Sequence, residues 1–283
     1  MQLYLLRYGE LGIKSPSTRR NFEDILIDNL ERSFLKAKAE IFIERERGRL
    51  FAYAHEDSSY MFSRTFGLVS YSPAAETGSS LKDMEDVSKG WARGLEGSFA
   101  VRARRVGDHP YSSPKAAAQV GAYVLEENPN LDVDLDEPDH TLYLEIRGKR
   151  AYVFSKIKDG PGGLPLSSQG KVAAWVDSNE GFLAAWLMMK RGARAYIYYP
   201  PDSVYHQGLD RWDPNLRSFE HGSLEEALSS HQPKGIKGWV LGDTVDELRD
   251  VKHHLPIYRP LIGFTWSMIE DELMRIKKLE SRR

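Results

Sequence analysis

The sequence predicts an α/β protein made of three consecutive units, the last of them a doubly wound parallel sheet. Three observations carry this. Short apolar runs with period-two alternation are interleaved with stretches of helical spacing throughout the 283 residues. A glycine- and proline-dense break, "KDGPGGLPLSSQG", at residues 158–170 separates what precedes it from the last unit. Beyond it, strand and helix patterns alternate in βαβ fashion, which a parallel sheet covered on both faces satisfies. An apolar content of 41% with 11% aromatics supplies real cores.

The first unit, residues 1–62, reads strand, helix, strand. "QLYLLRYG" is an apolar run. "SPSTRRNFEDILIDNLERSF" opens at Ser15 or Ser17 as cap and places Phe22, Ile25, Leu26, Asn29, Leu30 and Phe34 near helical spacing, and "AEIFIERERGRLFAYA" alternates like a strand. The second unit, residues 63–158, reads helix ("SLKDMEDVSKGWARGLEG"), strand ("SFAVRARRVG"), a helix opened by Ser113 with Pro114 at its first position, and a hairpin across Gly148. After the Gly/Pro linker at 159–170, the third unit, 171–283, reads strand "KVAAWV", helix "FLAAWLMMKRG", strand "ARAYIYYP", helix "SLEEALSS", strand "IKGWVLGD", helix "TVDELRDVKHH" and the strand-like "LPIYRPLIGF".

Composition removes several function classes. With no cysteine, these residues form no disulfide, thiolate zinc site, iron-sulfur cluster or protein persulfide. No apolar run approaches a membrane span, and Arg7 and Glu10 interrupt the N-terminal run where a signal peptide would continue, so a cytoplasmic protein that meets no membrane is expected. The formal net charge of -2 leaves any nucleic-acid binding to local patches. The acidic stretches "DVDLDEPD" and "ERE" read as solvated turns and strand faces that balance such a patch.

"VRARR" is the strongest local charge feature. In a strand, Arg102 and Arg104 share one face while Arg105 turns to the other with Val101 and Ala103. His109, Tyr111, Ser112, Ser113 and Lys115 follow at a predicted helix start, whose free amides suit a phosphate. Arginines, hydroxyls and a helix N-terminus together fit RNA-backbone or RNA-end recognition; a charge-protected edge strand is the plainer reading of the same residues. Arg7, Lys14, Arg19 and Arg20 form a second basic group at the start of the first helix. His253 and His254 diverge on a helix and are not a metal pair, and "YIYYPPDSVY" with Trp212 reads as core before base stacking. No Ser-His-Asp spacing, and no metal site, is visible.

"KVAAWVDSNEGFLAAWLMMKRG", Lys171 to Gly192, has the strand-loop-helix layout that grips phosphate in open α/β sheets, yet its loop is Asp177, Ser178, Asn179, Glu180 and Gly181. A phosphate loop relies on residues without Cβ that let backbone N-H groups converge on the anion. Acids at 177 and 180 instead have the spacing of a reciprocal cap, in which Asp177 or Ser178 accepts from the first helical amides and Glu180 reaches back, worth roughly 0.5 to 2 kcal/mol. Two acids at a strand end could alternatively hold Mg²⁺ for a nucleotide.

"RYGELGIKS" at the start, "FAVRARRVGDHPYSS" with "DVDLDEPDHTLYLEIRGKRAYVF" in the middle, and "GPGGLPLSSQGKV", "AAWLMMKRG" and "LPIYRPLIGF" at the end fall in one order along nearly the whole chain. Together they resemble the tRNA 4-thiouridine synthase (tRNA sulfurtransferase) family. The resemblance implies an N-terminal ferredoxin-like domain over 1–62, a THUMP RNA-binding domain over 63–158 and a pyrophosphatase-type (PP-loop) ATP-binding domain over 171–283. It also implies tRNA as partner, held near its acceptor end, a homodimer, and thiouridine formation as the family chemistry. Against the family's Ser-Gly-Gly-x-Asp-Ser loop the chain is one residue short: both glycines lack a counterpart, Glu180 falls at the Asp, Gly181 at the Ser, and Phe182 follows. "LGDTVDELRD" stands where the family has Gly-Gln-x-Ala-Ser-Gln, and Arg259, whose counterpart lies in the ATP domain, is left to pair with Asp243 or Glu180. The family delivers sulfur through a cysteine, and none is present. The expected function is tRNA binding on a degenerate scaffold, without cofactor and without catalysis by this chain alone, serving a separate modification enzyme. Two alternatives remain open: a modification enzyme with residual ATP/Mg²⁺ binding that works with a partner, and a docking scaffold that no longer binds RNA.

Overall fold

The computed structural model describes residues 1–9, 15–46 and 48–281. Two compact units result, one from Met1–Leu5, Phe51–Tyr53 and Ser72–Ile157, the other from Leu6–Leu50, Ala54–Tyr71 and Lys158–Arg283. The N-terminal strands are β1 (Gln2–Tyr8), β2 (Ile41–Glu46), β3 (Arg49–Ala54) and β4 (Leu68–Gly78), ordered β2-β3-β1-β4. What the sequence presents as one alternating strand is thus two, β2 and β3, broken at Gly48 with φ +79°. Strand β4 was not anticipated; Pro73 and its small neighbours blur the alternation of its apolar residues.

In the first unit, β4 is followed by α2 (Leu81–Ser88), β5 (Ser98–Val106), α3 (Ser113–Glu127), β6 (Asp132–Val133), β7 (His140–Arg147) and β8 (Arg150–Phe154). The strands lie in the order β4-β8-β7-β5-β6. β8 is antiparallel to β4 and β7, whereas β5 is parallel to β7 and β6. Met84, Phe99, Val101, Val120, Leu144 and Ile146 close the core beneath α2 and α3. The expected hairpin forms at Gly148, φ +55°, which a residue with a Cβ rarely adopts. α2 is shorter than its apolar spacing predicts: it stops at Ser88, and the following segment turns through Gly94 and Gly97, φ +72° and +89°. α3 also begins differently. Ser112 is its cap, accepting from the Lys115 N-H at 3.3 Å, and Ser113 is already helical.

In the second unit, α1 (Pro16–Lys36) is capped by Ser15 and buries Phe22, Leu26, Leu30 and Phe34. A 3-10 helix covers Glu56–Arg64. The Gly/Pro segment is not loose chain. Its first two residues form β9 (Lys158–Asp159) against β4, Gly160 and Gly162 donate to Val69 O and Leu68 O at 2.8 and 2.7 Å, and Leu164 donates to Lys190 O at 2.9 Å.

The C-terminal sheet comprises β10 (Lys171–Trp175), β11 (Arg194–Tyr199), β12 (Arg217–Glu220), β13 (Ile236–Val240) and β14 (Ile257–Tyr258), ordered β12-β11-β10-β13-β14 and parallel throughout. α4 (Asn179–Lys190) and α6 (Trp266–Glu280) bury Leu183, Trp186, Ile269 and Ile276 in one core, and α5 (Leu224–Ser229) joins Tyr198 and Trp239 in another. Trp212 stacks on Phe66 at 5.2 Å and is core. The helix predicted over 244–254 does not form. Asp243 ties down Arg249 and Arg259, the Arg249 carbonyl accepts from Arg259 Nη2 at 2.9 Å instead of from a helical amide, and Thr244 Oγ1 closes a local turn on Glu247 N at 3.2 Å. "LPIYRPLIGF" yields only two strand residues between Pro256 and Pro260. No helix among the described residues is long and apolar enough to cross a membrane.

Candidate nucleic-acid interface and switch-point crevice

The register places Arg102 opposite Tyr143, Arg104 opposite Glu145 and Arg105 opposite Ile146. Side chains alternate along a strand, so Arg105 shares the helix-covered face with buried Ile146 and the other two arginines lie on the reverse face. Arg102 donates to Leu135 O and is thereby drawn to the acidic 134–139 loop, whereas Arg104 is exposed with no ion pair among the described residues.

Arg105 belongs to a hydrogen-bonded rim. Its Nη1 donates to His109 O at 3.1 Å; His109 Nε2 lies 2.9 Å from Gly148 O and Nδ1 3.3 Å from Gly107 O; Lys149 O accepts from Ser79 N at 3.1 Å; and Tyr111 Oη donates to Ser79 O. A neutral imidazole donates from one nitrogen only, and the Gly148 contact is the shorter. Burial raises the Tyr111 phenol above its usual pKa, against the opposing Arg105 charge, so it serves as a donor. The chain of bonds brings together the N-termini of α2 and α3, capped by Ser80 and Ser112, and the β7–β8 turn. Exposed Lys115 and Lys149 flank them. Orphan amides at two helix starts beside exposed cations suit phosphate oxygens.

Of the twelve residues selected from the sequence, Arg105, His109, Tyr111, Ser112, Ser113 and Lys115 come together at this rim. Tyr111 is buried, so it holds the rim together instead of lining it. Arg7, Arg19 and Arg20 belong to the other unit, Arg19 lying 3.9 Å from the buried Glu23 carboxylate, and Lys14 is outside the described residues. Sequence reading gave the helix that opens at Ser80 but assigned neither its start nor Lys149 to the site; Ser80 Oγ accepts from Asp83 N at 3.1 Å.

The second locus lies in the C-terminal sheet. With β11 on one side of β10 and β13 on the other, the connections reverse between β10 and β13, and the crevice beyond their carboxyl ends is where such sheets take ligands. Asp177 follows β10, and Gly242 and Asp243 follow β13. The protein's own charges fill the crevice. Arg249 bridges Asp177 at 2.9 Å and Asp243 at 2.6 Å, and Arg259 holds the other Asp243 oxygen at 2.8 Å. Ser178 caps α4 by accepting from Gly181 N at 3.2 Å. A Cβ placed on Gly181 would lie 3.4 Å from Asp177 Oδ1, so that carboxylate sits against the start of α4, where an anionic ligand would sit. A Cβ on Gly242 would meet Gly181 N at 2.4 Å and Glu180 C at 2.5 Å, which leaves no room between the β13 end and the α4 start.

Residues 3–72 match the ThiI ferredoxin-like domain and residues 82–156 the THUMP domain. A probable tRNA sulfurtransferase of Methanosarcina acetivorans is 30% identical, with 96% of this chain and 80% of that protein covered. One of Methanobrevibacter smithii is 33% identical over 77% of this chain, and the tRNA sulfurtransferase of Pyrobaculum aerophilum 37% over 70%. The chain spans 60% and 42% of the lengths of those two. Among solved structures, PH1313 from Pyrococcus horikoshii superposes with a TM-score of 0.84 at 28% identity, covering 98% of this chain and all of that one. A 4-thiouridine synthetase–RNA complex with bound ATP gives 0.77 at 19% identity, covering 99% and 86%, and shares the fold.

Proposed function

Because the chain belongs to the tRNA sulfurtransferase family, we propose that it binds tRNA near the acceptor end through the rim of its THUMP domain and presents it to a separate modification enzyme. The observation that supports this is the convergence of two helix N-termini and the cations Arg105, Lys115 and Lys149 around one hydrogen-bonded turn. Phosphate contacts position an RNA end, and each cation that neutralises a phosphate adds about 0.9 to the slope of log K against log salt. Filter binding of a CCA-ended acceptor hairpin against a blunt duplex should show preference for the hairpin, and Lys115→Ala with Lys149→Ala should reduce the salt slope by about 2. An unchanged slope removes the interface from this rim; equal affinity for both RNAs removes the acceptor end from the reading.

The C-terminal domain, in the same reading, has given up ATP. Asp177 and Asp243 put carboxylates where a triphosphate would need donors, and both arginines that could offset them are already committed to those carboxylates. Without a cysteine these residues have no sulfur carrier either. Calorimetry is expected to detect no ATP binding at micromolar concentrations; micromolar affinity that disappears in Glu180→Ala would restore the nucleotide site.

A further inference from the structure

A cavity of about 360 Å³ opens between the first turn of α4, the loop after β11 and the last turns of α6. It shares no residue with the Asp177–Arg249–Asp243–Arg259 network. Its walls are Phe182 and Tyr205 with Val204, Leu273 and Ile276. Tyr205 is 42% exposed and Val204 61%, large apolar surfaces on a loop that would ordinarily be polar. The loop is nevertheless fixed. Ser203 N and Gln207 N close turns on Pro200 O and Val204 O at 3.2 and 3.0 Å, and the His206 ring stacks on Tyr199 at 3.8 Å between centroids.

The polar groups at this cavity are few and available. The Asn179 and Gln207 carboxamides, both at the lining, make no side-chain hydrogen bond among the described residues, and each offers a donor and an acceptor. Lys277 has no ion pair there either. The one acid, Glu280, is already engaged, accepting from Trp212 Nε1 at 3.1 Å and pairing with Arg211 at 3.3 Å. Arg211 also lines an adjoining cleft with Tyr60 and Arg64.

We propose that this cavity takes one unstacked base of an RNA strand, between Phe182 and Tyr205, with Asn179 and Gln207 on the base edge and Lys277 and Arg211 on the flanking phosphates. A planar ring needs aromatic or apolar walls, base edges need paired donors and acceptors, and the attached backbone needs cations at the mouth. These are the three things the cavity supplies. An RNA strand is favoured over a free nucleotide because the lining has no glycine-rich cradle for a polyphosphate. The proposal rests on the RNA-binding reading above, and its test separates the two.

The CCA-ended hairpin is titrated against the full chain, Tyr205→Ala, Tyr205→Phe, and the rim variant Lys115→Ala with Lys149→Ala, with AMP and UMP titrated in parallel. Tyr205→Ala should weaken hairpin binding by at least about fivefold, the loss of one base stack, and Tyr205→Phe should restore it. Tyr205 is an exposed loop residue, so equal thermal midpoints for the variants are expected and exclude unfolding as the cause. Full hairpin affinity in Tyr205→Ala, alongside weakened binding in the rim variant, overturns the base pocket and leaves the RNA reading standing. Absence of hairpin binding by the unaltered chain sinks that reading itself. AMP or UMP binding that is lost in Tyr205→Ala without any change for RNA assigns the cavity to a free nucleotide and overturns the proposal.

Discussion

Replacing Asp243 by alanine is expected to lower the unfolding free energy of the second unit by about 3 kcal/mol, the low end of the range for breaking a buried ion pair. The carboxylate is fully buried and each of its oxygens meets a guanidinium, at 2.6 and 2.8 Å. Removing it leaves Arg259 with the Arg249 carbonyl and Arg249 with Asp177. The low end applies because the arginine side chains are 34% and 23% exposed, so water reaches the charges left behind. Asp177→Ala is the matched comparison. Its pair is about one third exposed on both sides, and exposed pairs contribute about 0–1 kcal/mol. Urea unfolding followed by tryptophan fluorescence distinguishes the two carboxylates. Equal small losses would mean that Asp243 is not the hub that holds residues 243–259 in place of the missing helix.

The sequence made the C-terminal sheet legible because its strands are apolar runs separated by helical spacing, and strands buried on both faces read that way. β10, α4, β11, α5 and β13 all lie where the pattern puts them. Failure came where long-range ties override local pattern. "TVDELRDVKHH" has helical spacing, but two arginines bound to one buried aspartate fix it as irregular chain, and nothing local reveals that Arg249 and Arg259 meet the same carboxylate. β12 and β4 were invisible because β12 has four residues and β4 carries a proline.

Of the two loci, the crevice was the more readable. Its loop, residues 177–181, is contiguous in sequence, whereas the sheet order that places it at the reversal of connections and the Arg249 bridge from Asp177 to Asp243 are long-range. The rim was half readable. Arg105 to Lys115 are contiguous, whereas Ser79 and Lys149 arrive from elements some thirty residues away on either side, joined through the Ser79–Lys149 backbone bond and through the His109 and Tyr111 side chains on backbone carbonyls. Charge density in sequence also misleads about availability. Three arginines sit in one strand, yet Arg102 is held by Leu135 O in the 134–139 loop and Arg105 by the His109 carbonyl, which leaves Arg104 as the one of the three without a side-chain partner among the described residues.

The glycine-rich segment before β10 has the composition of a flexible hinge, and the two adjacent glycines 162 and 163 test whether it acts as one. Gly163 has φ +75°, and a Cβ there would lie 2.1 Å from Lys190 O and 3.0 Å from its carbonyl carbon. That oxygen belongs to the last turn of α4 and already accepts from Leu164 N at 2.9 Å, so it cannot retreat without freeing a helix-terminal carbonyl. Gly162 has φ +70° but nothing within 4 Å of its Cβ position. Gly162→Ala therefore carries only the left-handed backbone cost of about 1 kcal/mol. Gly163→Ala adds the displacement of backbone by an extra methyl, about 1–3 kcal/mol more, for a total of about 3 kcal/mol. Thermal or urea unfolding of the two variants reads the difference directly. A free hinge would tolerate both substitutions alike; the strap that binds the end of α4 tolerates one and not the other. In that case the glycines are present for close approach between backbones, and the segment is part of the C-terminal fold.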